Sequence, residues 1–225
     1  MKKYFITATG TGIGKTLITS ALAYQLSKQG KRVKALKPVI SGFDAANAHT
    51  SDTGQLLEAQ GLPVTPENVN IVSPWRFKAP LSPDMAAADE RKRIDFNALN
   101  GFCRQQEDYD ALLIEGVGGV MVPLTESQTT LDWMQALQYP VILVAGSYLG
   151  SISHTLTACQ ALLSRGLALD AVVISESEVS PAPLQRISEH LQRFLPDNSA
   201  IYTVTRLDSS PELWKTVPDI TPILK

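Results

Sequence analysis

"ATGTGIGKT", residues 8–16, lies between an apolar run, KYFITAT (3–9), and an amphipathic run that begins at Thr16. A strand, a glycine-rich turn and a helix in immediate succession let backbone N–H groups and a helix N-terminus face an anion. Gly10, Gly12 and Gly14 give the backbone room to approach. Lys15 supplies a point charge for β- and γ-phosphates, and Thr16 a hydroxyl for Mg²⁺. The usual phosphate-loop pattern opens with glycine, and here Thr9 holds that place. The alternative is a glycine-rich turn with a solvated Lys15. A cation in the first helical turn opposes the macrodipole, however, and is unfavourable without an anion. The stretch therefore reads as a nucleotide loop.

The rest of the chain repeats the alternation. KYFITAT, RVKALKPV (32–39), ALLIEG (111–116), PVILVAG (140–146), DAVVIS (170–175) and AIYTV (200–204) are β-rich apolar runs. Residues 16–28, 94–106, 129–138, 152–164 and 182–194 carry helical spacing, and Ser51 caps a further helix at 52. Strands alternating with helices predict an α/β fold with a mostly parallel sheet and helices on both faces, of the P-loop NTPase type. Residues 1–225 read as one such domain. Pro63, Pro66, Pro74, Pro80 and Pro83 mark 61–83 as a long surface excursion.

With 20 basic and 22 acidic residues the net charge is −2, which argues against general affinity for nucleic acid or an anionic membrane. The start MKKYFITATG imitates a signal peptide for a few residues before Thr7, Thr9 and Gly10 interrupt it, and no run approaches the ~18 apolar residues of a membrane span. Cys103 and Cys159 have no metal-ligand spacing and read as buried thiols in a reducing compartment. A cytoplasmic protein is expected.

In open parallel sheets ligands sit beyond the carboxyl ends of the strands. Thr9–Thr16, Lys37–Ser41, Glu115–Gly119, Gly146–Ser153 and Ser175 all fall on that edge. Glu115 closes an otherwise apolar strand and suits a metal, or else meets water at a strand end. Asp52 is either a second metal ligand or an acid favoured by the helix dipole. Lys37, before Pro38, is a second cation on the phosphate edge, or a strand-end lysine in solvent. EGVGG (115–119) offers bare backbone to a substrate. LGSISHTL (149–156) is either an anion site of helix N-terminal amides or a plain loop with Ser153 as cap, and His154 reads as structural. No Ser-His-Asp, paired-cysteine or two-histidine pattern is present, which leans toward phosphoryl chemistry.

With TGTGIGKT, KPVISG, SD, EGVGG and LGSISHTL in this order, the chain resembles the dethiobiotin synthetase family of biotin biosynthesis from residue 4 to about 175. Threonine at the first glycine position is itself usual in that family. The resemblance implies a ligase with ATP as co-substrate and Mg²⁺ as cofactor. 7,8-Diaminononanoate takes up CO₂ as a carbamate, ATP phosphorylates it, and the second amine closes a cyclic urea. Lys37, Lys15 and Thr11 would surround the transferring group. Nucleotide would lie on Gly12, Ile13, Gly14, Lys15, Thr16 and Leu17, with Asp52, Glu115, Gly116, Val117, Gly118 and Ser175. Thr16, Asp52 and Glu115 would hold the metal. Ser41, Gly118 and Gly119 would position the substrate. Family members are homodimers with substrate at the interface, so Gly150, Ser151 and Ser153 would hold its carboxylate, from the opposite subunit.

The chain also departs from the family pattern. Ala8, Gly10 and Gly12 stand where family members often carry glycine and acidic residues, Asp84 replaces the histidine of Pro-x-Ser-Pro-His, and Ser175 replaces an adenine-reading asparagine. A hydroxyl cannot make the bidentate contact of an amide. YTVTRLD (202–208) lacks the proline-centred turn expected after the last strand. Two rivals share the loop. Cobyrinic acid amide synthases need a further glutamine-hydrolysing domain. Partitioning ATPases carry a second lysine near the loop's start, where this chain has Gly10.

Overall fold

The computed structural model describes residues 1–196, 199–207 and 212–224; Asp208, the end of YTVTRLD, lies outside them. Six strands form one sheet: β1 (Lys2–Ala8), β2 (Val33–Leu36), β5 (Ala111–Glu115), β6 (Val141–Ala145), β7 (Leu169–Ser175) and β8 (Ala200–Val204). Their order is β2-β5-β1-β6-β7-β8 and every neighbouring pair is parallel. The continuous apolar runs of β5 and β6 follow from this placement, since both faces are covered and every residue of the two strands is buried. Phe5 of β1 meets Trp133 edge to face, with ring centroids 4.8 Å apart, an arrangement favoured by the ring quadrupoles.

The helices are α1 (Lys15–Lys28), α2 (Asp52–Ala59), α3 (Pro66–Val72), α4 (Pro83–Asp89), α5 (Phe96–Arg104), α6 (Thr130–Leu137), α7 (Ser151–Ser164) and α8 (Leu184–Gln192). Local chemistry starts several of them. Ser51 accepts from Gly54 N ahead of α2, Asp95 caps α5, and Thr129 with Asp132 forms a capping box before α6. The expected cap at Ser153 is not there: the N-cap of α7 is Gly150, at φ 96°.

The chain runs from β1 outward to β2, returns through β5, and crosses β1 to reach β6. Loops leaving β1 and β5 therefore part at the carboxyl edge, the crevice where a ligand is expected.

Two readings of the sequence change. RVKALKPV is not one strand. The Lys37 N–H turns to the Val72 carbonyl at 3.2 Å, and Pro38 has no N–H to continue the ladder. The chain leaves the main sheet there, and β3 (Val39–Ser41) pairs instead with β4 (Trp75–Phe77). Nor is 61–83 a bare surface excursion. It contains α3 and β4, and buries Val69, Val72 and Phe77. Pro66 and Pro83 sit in first helical turns, where a missing N–H costs nothing.

Gly54 lies inside α2 because any Cβ there would run into the Ala48 and His49 carbonyls. Gly54→Ala should therefore destabilise the fold by about 1–3 kcal/mol despite alanine's better helix propensity. Urea unfolding measures this, and an unchanged midpoint would contradict it.

Candidate active site

The loop between β1 and α1 places its glycines where backbone geometry requires them. Gly12 and Gly14 have φ of 72° and 99°, a region costly for residues with a Cβ. Thr9, in the first-glycine position, needs no such freedom. It is absent from the positive-φ residues, and just past β1 its N–H still donates to Val144 O of β6 at 3.0 Å. Thr9 thus sits just past the end of β1, still tied to β6 by one backbone bond, and the cradle begins after it.

Glu115, at the end of β5, is fully buried and organises the floor. Its Oε1 accepts from Lys37 Nζ at 2.6 Å and from Thr16 Oγ1 at 2.8 Å. Lys37, with a side chain 4% exposed, also reaches Asp52 Oδ2 at 2.9 Å, while the Asp52 side chain is 41% exposed. Burial pulls the Lys37 pKa down, but Glu115 and Asp52 outweigh it and leave the ammonium above the ordinary lysine range. Burial likewise pushes Asp52 up, and Lys37 more than reverses this, so its pKa is lowered.

Lys15 has no such partner. It is buried, and its Nζ donates to the Gly118 carbonyl at 2.8 Å. Burial, with the nearby Lys37 charge, lowers its pKa to about 8. Two lysines thus face one cleft in opposite electrostatic states.

The cleft has a volume of about 780 Å³. It gathers Thr11, Gly12, Gly14, Lys15, Thr16, Leu17, Lys37, Ser41, Asp52, Val117 and Gly118 from the residues read out of the sequence. Glu115 lies beneath it. Gly116 is packed so closely that a Cβ would meet the Phe5 ring at 2.9 Å, and Gly119 is buried against the Ala8 and Thr9 carbonyls, so both shape the wall from behind. Ile13 does not line the cleft. Ser175 stands at the end of β7 against the back of the loop, where a Cβ on Gly14 would meet its Oγ at 2.8 Å. Gly150, Ser151 and Ser153 are on the same sheet edge but outside this cleft.

The opposite wall consists of Ile40, Pro80, Leu81, Ser82, Pro83 and Val122; of these only Ile40 lay in a stretch, Lys37–Ser41, that the sequence placed on the ligand edge. Pro-Leu-Ser-Pro carried a signal, because two prolines around a serine fix the backbone. Nothing local revealed that the Gly42 N–H bonds the Ala79 carbonyl at 3.0 Å and draws that segment over Ser41.

Two polar atoms indicate what the cleft takes. Glu115 Oε2 and Ser41 Oγ are buried without a hydrogen-bond partner, and such groups are costly unless a ligand or water completes them. Among the described residues no group of three or more His, Cys, Asp or Glu side chains could hold a metal alone. The hard-oxygen set of Thr16, Asp52 and Glu115 nevertheless fits Mg²⁺, which binds through one or two carboxylates and takes its other ligands from phosphate and water.

The match to known proteins agrees with this geometry. A family model described as an AAA domain covers residues 2–212. The chain is 48% identical over 198 residues to the ATP-dependent dethiobiotin synthetase BioD of Acidiphilium cryptum (strain JF-5), spanning 87% of this chain and 89% of that protein. It is 46% identical over 200 residues to the protein of the same name from Methylobacterium nodulans, spanning 86% and 89%. Among solved structures, the MinC:MinD cell division protein complex of Aquifex aeolicus superimposes with a TM-score of 0.59 at 15% identity, over 95% of this chain and 85% of that one. At that identity the likeness establishes the α/β P-loop fold alone.

The Lys15 shift has a pH consequence. Its pKa lies below the unfolded value, so between about pH 8 and 10.5 the unfolded chain holds the extra proton and folding stability rises with pH. A bound phosphate reverses this preference by favouring the ammonium. Nucleotide affinity should therefore fall above about pH 8, approaching tenfold per pH unit, with proton uptake on binding. Calorimetry in buffers of different ionisation enthalpy reads both effects, and a flat profile would contradict the assignment.

Proposed function

The chain belongs to the dethiobiotin synthetase family, and from that premise we propose how its residues carry out the ATP-dependent ring closure. The enzyme is a ligase of biotin biosynthesis. It joins 7,8-diaminononanoate and CO₂ into the cyclic urea of dethiobiotin and converts ATP to ADP and phosphate. The reported relatives bear the synthetase name, and neither the cobyrinic acid amide synthases nor the partitioning ATPases compete with that assignment.

The observation that carries the residue assignment is the pair of buried lysines facing one cleft, a single one of them neutralised by carboxylates. In the first step a neutral amine attacks CO₂, forming an N–C bond and losing a proton. The carbamate formed is an anion, and positive charge favours both the neutral amine and the anionic product. Lys37, held by Glu115 and Asp52, supplies fixed charge there. The unpartnered Ser41 hydroxyl and the Gly118 backbone position the diamine, and the Ile40, Leu81 and Val122 wall suits its alkyl chain.

In the second step a carbamate oxygen attacks the γ-phosphorus and ADP leaves. This chemistry needs alignment and charge neutralisation more than covalent help. Lys15 leaves the Gly118 carbonyl for the phosphates, with the Thr11 to Thr16 amides around them. Thr16, Asp52 and Glu115 would hold Mg²⁺, which when bound would help neutralise the phosphate charge. In the third step the second amine attacks the carbonyl carbon, phosphate leaves and the ring closes. Ser175 borders the nucleotide end.

The enzyme works as a cytoplasmic homodimer whose Gly150, Ser151 and Ser153 amides take the substrate carboxylate of the opposite subunit. Residues 1–225 serve as one domain.

Lys37→Ala removes a charge from a developing anion and should lower turnover by ~10²-fold or more. Phosphate release with MgATP, diamine and bicarbonate, with the urea identified by mass, measures this. Turnover within a few-fold of wild type would remove Lys37 from the catalytic group.

A further inference from the structure

A second hollow, of about 420 Å³, opens between the 3-10 segment Ala45–Thr50, the front of α3 and Arg76 of β4. It shares no lining residue with the phosphate cleft. Part of its wall is apolar, formed by Ala46, Val64, Pro66 and Val69.

Thr65, Asn70 and His49 also line it, and Arg76 brings a guanidinium. Its Nη2 donates to Asn70 Oδ1 at 2.6 Å and its Nη1 to the Ser73 carbonyl, and its guanidinium stands 5.7 Å from the centre of the Phe43 ring. These partners are all neutral. Among the described residues no Asp or Glu oxygen lies within 4.0 Å of this guanidinium, whereas His49, also lining the hollow, is matched by Glu58 at 3.2 Å. Partial burial draws the Arg76 pKa below the ordinary arginine value, as expected for a charge with no counter-ion, although arginine stays protonated in proteins.

A guanidinium has five N–H donors in a rigid fork. Holding two of them on neutral acceptors fixes the fork's direction and leaves the others for a ligand. An inorganic anion would satisfy the arginine but leave the apolar walls uncovered. A carboxylate on an aliphatic body would cover both, and the volume lies in the range of small-molecule sites.

We propose that this hollow is a second ligand site, which binds a medium-chain monocarboxylate with its carboxylate on Arg76 and its chain along Ala46, Val64 and Val69. The site is independent of the ring-closing chemistry. Its floor is the stretch that joins Ser41 to Asp52, and that stretch is tied to β4 through Phe43 N–H on Phe77 O at 2.9 Å.

Nonanoate, titrated into the full-length protein and followed by amide chemical shifts, is the direct probe. Saturable shifts are expected at Ala46, Val69 and Asn70. Arg76→Gln should weaken binding at least about 10-fold by removing a charge-assisted pair. Ala46→Trp, which fills the hollow from an exposed position, should abolish binding without touching the arginine. Nucleotide affinity should be unchanged in both variants, which shows that they are folded. Shifts confined to Thr11 and Gly118, no saturable shift at all, or equal affinity in wild type and both variants would each overturn the proposal.

Discussion

The ion pair between Lys37 and Glu115, 2.6 Å long and sealed from solvent, is the constraint on which the rest of the site depends. Taking two charges out of water costs several kcal/mol per ion, and the attraction between them offsets this only with good geometry and further hydrogen bonds. Here those bonds come from separate parts of the fold. Thr16 brings α1, Asp52 brings α2, and the Gly116 carbonyl, 3.4 Å from Lys37 Nζ, brings the turn after β5. A hydrophobic pair of the same volume would hold β5 as well. What the charges add is a fixed cation at the mouth of the parallel sheet and a buried carboxylate oxygen, Oε2, with nothing bonded to it.

The same pair explains why Lys15 differs. Both lysines are buried on one cleft, but the two nearby carboxylates are already committed to Lys37. Lys15 is left with a neutral carbonyl and a repulsive neighbour, and its pKa falls to about 8. An arriving phosphate relieves this strain. The difference between the two lysines follows from the distribution of counter-ions rather than from their residue type. It suits a reaction in which one anion is built in place and another is brought in by the nucleotide.

Much of this was legible in the sequence because it was local. Strand, glycine turn and helix stand together at 8–16, Ser51 announces the helix that carries Asp52, and Glu115 ends an apolar strand. Two things were hidden. Pro38 turned one apparent strand into two, because a missing N–H matters only once the ladder partner is known. The wall at Pro80–Pro83 depends on backbone bonds between segments about 35 residues apart, Gly42 to Ala79 and Phe43 to Phe77, which no periodicity encodes. Ser175 was placed correctly at the end of a strand, but its contact with the back of Gly14 is a matter of register between β7 and the loop.

The most direct measurement is a double-mutant cycle on the buried pair, comparing the unfolding free energies of wild type, Lys37→Met, Glu115→Gln and the double variant. Each single change leaves a buried charge poorly matched and should destabilise strongly, while the double change removes both charges together. The expected result is a coupling energy of about 2–3 kcal/mol, with the double variant more stable than the sum of the single effects implies. Additivity within about 0.5 kcal/mol would show that Lys37 and Glu115 act independently, and that the site is organised by something other than their contact.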